Sequence, residues 1–170
     1  MKNISKLILI VVFLIGGITI NAQELKFGHI DSRALLMSMP ESDSAQVKIQ
    51  KLGEDYQQQM EEMQVELNKK YDNYLQNRDG YTDLIRQTKE ADIQEMQQRI
   101  GNFEQMAQQD LQTQQQQLMA PILEKANGAV KAVAQENGFI YIFDVGSGNP
   151  VFWSETSIDI LPMVKTKLGI

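Results

Sequence analysis

The sequence predicts an α+β subunit: a long α-helical hairpin, or tentacle, rooted in a small oligomeric β-body, a closed β-barrel or sheet shared between copies of the chain. Three observations predict it. First, residues 41 to 137 hold a single proline, Pro121, and glycine only at Gly53, Gly80, Gly101 and Gly128. Gln, Glu, Lys, Leu, Met and Ala dominate there, all good helix formers. Second, Asn77-Arg78-Asp79-Gly80 interrupts this stretch near its middle and reads as a tight turn. Third, short apolar and aromatic runs flank it, Leu25 to Asp31 before and Phe139 to Asp144 with Val151 to Trp153 after. Residues 41–119 therefore form the hairpin, and 23–40 with 120–170 form the body.

The first 22 residues read as a secretory signal peptide. Lys2 and Lys6 make a basic start, Leu7 to Ile20 an apolar run of 14 residues, and Ala22 a small residue for cleavage. That run falls short of the roughly 20 residues that cross a bilayer as a helix, which argues against an uncleaved anchor. With Lys2 and Lys6 removed, 14 basic residues face 22 acidic ones, a net charge of −8. That balance argues against a nucleic-acid partner. The chain has no cysteine, so its stability must come from packing or assembly rather than disulfides.

Leu25 to Asp31 is a candidate strand. Asp31 or Ser32 can cap a short helix through Met37, because either side chain accepts from exposed backbone N–H groups. Pro40 should interrupt the chain, and Glu41-Ser42-Asp43-Ser44 should open the descending arm. Along that arm the apolar and aromatic positions are Ile49, Leu52, Tyr56, Met60, Met63, Leu67, Tyr71 and Tyr74. They follow a 3-4-4 repeat rather than a strict heptad, which predicts a nearly straight seam. The turn is expected to use Gly80 at positive φ, and Thr82 or Asp83 to start the return.

The returning arm carries Ile85, Ile93, Met96, Ile100, Phe103, Ala107, Leu111, Leu118 and Ile122, with Gln114 to Gln117 breaking the pattern. Each arm of about 36 residues would reach about 54 Å. Pro121 is expected to kink the helix where rod meets body. The helix should then resume and stop at Asn137-Gly138. Phe139 to Asp144 reads as a strand buried on both faces, Val151-Phe152-Trp153 as a third strand, and Leu161 to Leu168 as a last helix.

Three short strands cannot cover themselves. Phe139, Tyr141, Phe143, Phe152 and Trp153 carry more apolar surface than one helix hides, and such strands invite pairing with another chain. These five are the oligomerisation candidates, and the expected assembly is a homo-oligomer.

The order of the parts also carries a resemblance. Gly28-His29-Ile30-Asp31-Ser32 ends the first strand, and the long hairpin follows. Then come Pro121-Ile122-Leu123-Glu124-Lys125-Ala126 and Val133-Ala134-Gln135-Glu136-Asn137-Gly138-Phe139. Ile158-Asp159-Ile160 leads into the final helix. Over the mature chain this resembles the Skp/OmpH family of periplasmic chaperones. The resemblance implies a trimer sharing a small β-barrel, three tentacles around a cavity, and unfolded outer-membrane proteins as cargo. It implies no enzymatic activity and no cofactor. Two features depart from the family pattern. Residues 41 to 120 carry 8 basic and 15 acidic side chains, whereas basic tentacles suit acidic lipid surfaces, so direct lipid contact through charge is not expected. Leu161 stands where the family favours a hydroxyl cap.

The remaining chemistry is sparse. His29 is the only histidine, and with Asp31 and Asp144 it reads as a strand-face imidazole beside capping carboxylates rather than a catalytic or metal site. No glycine-rich phosphate loop and no cysteine nucleophile is present. Met60, Met63 and Met96 fall on the repeat and read as seam. Met106, Phe103, Met119 and Tyr74 are the client-binding candidates, since flexible thioethers and rings suit a surface that repacks around varied partners. The expected function is ATP-independent holding of unfolded envelope proteins. The alternative is a structural or adaptor coiled-coil protein of the cell envelope.

Overall fold

The structure is a computed structural model, and it describes residues 25–148, 150 and 152–170. The expected signal peptide, and residues 149 and 151 of the expected loop and third strand, lie outside the described residues. The chain runs β1 (Lys26–Ile30), α1 (Ser32–Met37), α2 (Pro40–Asn77), a 3-10 turn (Arg78–Gly80), α3 (Asp83–Glu136), β2 (Phe139–Asp144), β3 (Ile158–Asp159) and α4 (Leu161–Leu168).

The hairpin is the long connection that lets β1 and β2 lie parallel, since parallel neighbours need a crossover. The sheet order is β2-β1-β3, and both outer strands run parallel to β1. Phe27 pairs with Tyr141 and His29 with Phe143 on one side, while Gly28 pairs with Ile158 on the other. Gly28 leaves little room for a side chain. A Cβ there would lie 3.0 Å from the Phe139 ring and 3.2 Å from the Ile158 carbonyl oxygen.

The core sits where the hairpin meets the sheet. Ile30, Leu35, Met39, Ala45, Ile122, Ala126, Ala129, Val133, Ile160 and Val164 form one buried cluster. Small residues on the root of α3 let it approach the sheet, and α4 closes the other side. Each fully buried aliphatic side chain there contributes about 1.5–3 kcal/mol. Asp31 caps α1, its Oδ1 accepting from the Ala34 N–H at 2.8 Å. Lys125 pairs with Glu41 across the root of the two arms.

Along α2 the repeat positions are half-buried from Ile49 to Tyr74, with the exception of Tyr71, which is exposed. On α3 the buried and half-buried positions step through Ile93, Met96, Ile100, Phe103, Ala107, Asp110, Gln114, Leu118 and Ile122. The return seam is therefore continuous, and polar residues occupy two of its positions.

Five expectations need correction. The break between α1 and α2 falls at Ser38 and Met39, so α2 starts one residue before the expected Glu41, with Pro40 as its first residue, a position where its missing N–H has no partner to lose. Gly80 does not take positive φ; among the described glycines only Gly138, Gly148 and Gly169 do. The hairpin instead turns through a 3-10 turn in which the Tyr81 N–H donates to the Arg78 carbonyl at 3.2 Å. Pro121 does not divide α3, which runs through it as one 54-residue helix. Pro121 is exposed, so the carbonyl it leaves unpaired can bond to water. The third strand is not at Phe152 and Trp153, which are irregular, but at Ile158–Asp159. Finally, β2 is an edge strand with Ile140, Tyr141 and Phe143 exposed, not a strand buried on both faces of one chain.

Candidate functional site

Two surfaces compete for a functional role, the outer face of the sheet and the flanks of the hairpin. The sheet face follows from strand alternation, which sends successive side chains to opposite sides. On β1, Gly28 and Ile30 are buried toward the core, while Phe27 and His29 face outward. On β2, Ile142 packs against the core while Tyr141 and Phe143 point away.

The outward rings stack. Phe27 and Tyr141 lie 6.3 Å apart and 4° from parallel, and Tyr141 and Phe143 lie 6.2 Å apart at 28°. The segment before β3 extends this face. Trp153 tilts against His29 at 5.4 Å, and Ser157 Oγ hydrogen-bonds His29 Nδ1 at 2.9 Å. Leu25, Phe27, Phe143, Phe152, Trp153 and Ile158 line an open groove of about 680 Å³ there. Tyr141 is 62% exposed and Phe152 79%. Of the five residues expected at an assembly surface, Tyr141, Phe143, Phe152 and Trp153 are on or beside this face. Phe139 is not: its ring packs against the core beneath the Lys26 ammonium, 4.4 Å from the ring centre. Sequence reading missed Phe27 as a member of this face. The alternation of Phe27 and His29 with Gly28 and Ile30 is the signal that would have found it.

The carboxylates considered beside His29 serve the fold. Burial pushes the Asp144 carboxyl up, but hydrogen bonds outweigh it and hold the group below the usual carboxylate range. They come from the Ser32 hydroxyl at 2.6 Å, the Ser32 N–H at 3.1 Å and the Gly146 N–H at 2.9 Å, with Arg33 adding its charge. Asp31 is occupied by the cap of α1. Among the described residues no group of three or more His, Cys, Asp or Glu side chains is placed to hold a metal ion.

The four client candidates are not brought together. Met106 stands free on α3, 61% exposed. Phe103 is half-buried in the seam, edge-on to Tyr56 with ring centres 5.9 Å apart. Tyr74 is tied to Glu90 through its hydroxyl. Met119 packs against the core, and with Leu36, Met37, Ile49 and Leu118 it lines an open groove of about 400 Å³ at the root. Hydrogen bonding to carboxylates pushes both seam phenols above their ordinary range, Tyr56 through Asp110 at 2.5 Å and Tyr74 through Glu90.

Comparison with known proteins agrees with this architecture. A search of curated proteins finds no match. A solved structure of a candidate outer membrane chaperone, OmpH-like, from Caulobacter crescentus CB15 superposes with a TM-score of 0.74 at 12% identity, covering 85% of this chain and 83% of that one. At that identity the likeness concerns the fold. A family model for outer membrane proteins, OmpH-like, matches residues 26–168. The match spans β1 to the end of α4, and the chain belongs to the OmpH-like outer membrane protein family.

Proposed function

We propose that this protein is an ATP-independent holding chaperone of the periplasm, exported by a signal peptide cleaved near Ala22. Its clients are unfolded outer-membrane proteins. Three copies join through their sheets into a shared β-barrel base, and three hairpins project from that base around a cavity. One observation carries the reading: a rod of 38- and 54-residue helices rises from a base whose sheet face is aromatic and uncovered. A single chain gains nothing from leaving Phe27, Tyr141 and Phe143 in water, so a stable base needs partners.

Enclosure by weak, multiple contacts would then hold a client through avidity rather than through one deep site. No step in this cycle needs a nucleotide, a metal or a catalytic group. The acidic hairpin keeps the loaded complex soluble and disfavours anionic lipid.

The test is aggregation suppression. An excess of residues 23–170 should keep a urea-unfolded β-barrel membrane protein soluble on dilution, and light scattering of the same protein should report a trimer. Unchanged aggregation would sink the holding role, and a monomer would sink the shared base.

A further inference from the structure

The glutamines of the hairpin fall into two chemically different sets. Four of the seven on α2 are occupied by neighbours one turn on: Gln50 donates to Glu54 at 3.0 Å, Gln57 to Glu61 at 3.1 Å, Gln58 to Glu62 at 3.1 Å and Gln64 to Asn68 at 3.1 Å. Such i, i+4 pairs pin the amide to its own helix. On α3 the pattern is reversed. From Gln105 to Leu123 the only charged residue is Asp110, and it lies in the seam bonded to Tyr56. Gln105, Gln109, Gln112 and Gln116 follow steps of 4, 3 and 4, so they line one face, opposite the seam positions Ala107 and Gln114. All four are exposed. One turn on from each stands Gln109, Thr113, Gln116 or Ala120, never a carboxylate. Among the described residues none of the four side chains makes a hydrogen bond; of the glutamines on this segment only Gln114 does so through its amide, to Asp110 in the seam, while Gln109 takes part through its backbone carbonyl, which accepts from the Thr113 hydroxyl at 2.9 Å.

We propose that this stripe is a docking surface for extended, uncharged stretches of unfolded polypeptide, which its free amides engage along the main chain. The inference rests on the holding role and names what part of the client that role uses. The chemistry matches on two counts. A primary amide carries donors and an acceptor together, the same pair that each peptide unit presents. Every unfolded chain offers peptide units, so the contact carries no sequence requirement.

The charge pattern selects the same occupant. Residues 41–104 hold 14 acidic and 8 basic side chains, a setting that favours charged segments of opposite sign. The stripe, by contrast, sits in the one long uncharged part of the rod. Bilayer-spanning β-strands are short, alternate apolar with polar, and avoid charge on the lipid side. Such strands are the segments a neutral amide surface accommodates and an acidic one does not select. Met106, exposed beside the stripe, adds an adaptable apolar contact for their outward side chains.

The experiment uses residues 23–170 and a urea-unfolded, fluorescently labelled β-barrel membrane protein as probe. The four substitutions Gln105→Ala, Gln109→Ala, Gln112→Ala and Gln116→Ala are made together. Alanine is the better helix former, so helical circular dichroism and oligomeric mass should match the parent. Client affinity should fall about tenfold, the sum of several small hydrogen-bond losses. Parent binding should change little, within about twofold, between low salt and ~0.5 M salt, because the contact is not ionic. Undiminished affinity of the quadruple variant overturns the proposal. So does an equal loss in Gln57→Ala with Gln58→Ala, whose amides already serve Glu61 and Glu62. If the parent itself fails to hold the client, the holding role falls and this inference with it. A parent that holds and a variant that holds equally well removes the stripe alone.

Discussion

If copies of the chain join through their sheets as proposed, replacing Tyr141 with glutamate should separate them without unfolding any of them. Tyr141 is 62% exposed in the single chain, between Phe27 and Phe143 in the aromatic stack. An aromatic side chain of this kind buries about 200 Å² when covered, so about 120 Å² of Tyr141 remains to be covered by a partner. At about 25 cal/mol per Å² that is about 3 kcal/mol per subunit. Each 1.4 kcal/mol is about tenfold in an equilibrium constant, so the dissociation midpoint should rise about a hundredfold for each interface weakened. The glutamate also brings a charge that is costly to cover. Neither effect reaches the core, because Tyr141 lies outside the cluster around Leu35 and Val164. Light scattering of residues 23–170 across a concentration series reads the assembly, and far-UV circular dichroism reads the fold. The expected result is subunit mass with parental helicity. Parental mass over the whole series would refute the reasoning, because it would mean that this face stays in water.

Three further outcomes follow from the same geometry. Leu35 is 1% exposed at the centre of the base core, so Leu35→Ala should cost about 2–5 kcal/mol in urea unfolding, and a loss under about 1 kcal/mol would show that the site collapses around the gap. The Tyr56 phenol is raised above its ordinary value of 10.0 by its bond to Asp110, so its contribution is present below that value and lost as pH rises through the raised one. Helicity should therefore fall in alkali, and Tyr56→Phe should reduce that fall, leaving the part that Tyr74 contributes through Glu90; an alkaline loss unchanged in the variant would exclude Tyr56 as a source. Native-state hydrogen exchange should be slowest around Ile122 to Val133, where α3 crosses the core, and fastest beside the turn at Arg78–Gly80, where no residue is buried. Uniform protection along α3 would contradict that gradient.

The hairpin was legible because a long two-helix rod has one rule for burial, and α2 obeys it. Ile49 through Tyr74 repeat at the spacing that keeps a nearly straight helix against its partner, and those positions are half-buried apart from Tyr71. The base was only partly legible. β3 is two residues long and exists because Gly28 and His29 offer it a register; its own sequence, Ile158-Asp159, has no periodicity to read. Phe152 and Trp153 looked like a strand because aromatic residues favour strands. They belong instead to an irregular segment that lays Trp153 on His29, so their aromatic character served a surface rather than a ladder.

The return arm shows why composition can hide a regular structure. Asp110 and Gln114 sit at seam positions where an apolar residue is the usual reading, and the pattern looked broken there. In the folded hairpin Tyr56 spans the gap: its ring meets Phe103 edge-on, and its hydroxyl reaches Asp110, which also accepts from Gln114 at 3.5 Å. A tyrosine can satisfy an apolar and a polar neighbour at once, so the seam continues with its polar positions partnered. That arrangement consumes the one carboxylate between Gln105 and Leu123 inside the rod. The outer surface of that segment is left without charge, which sets its free amides apart from the acid-paired ones on α2. The same residue that mends the seam therefore determines what the segment can present outside it.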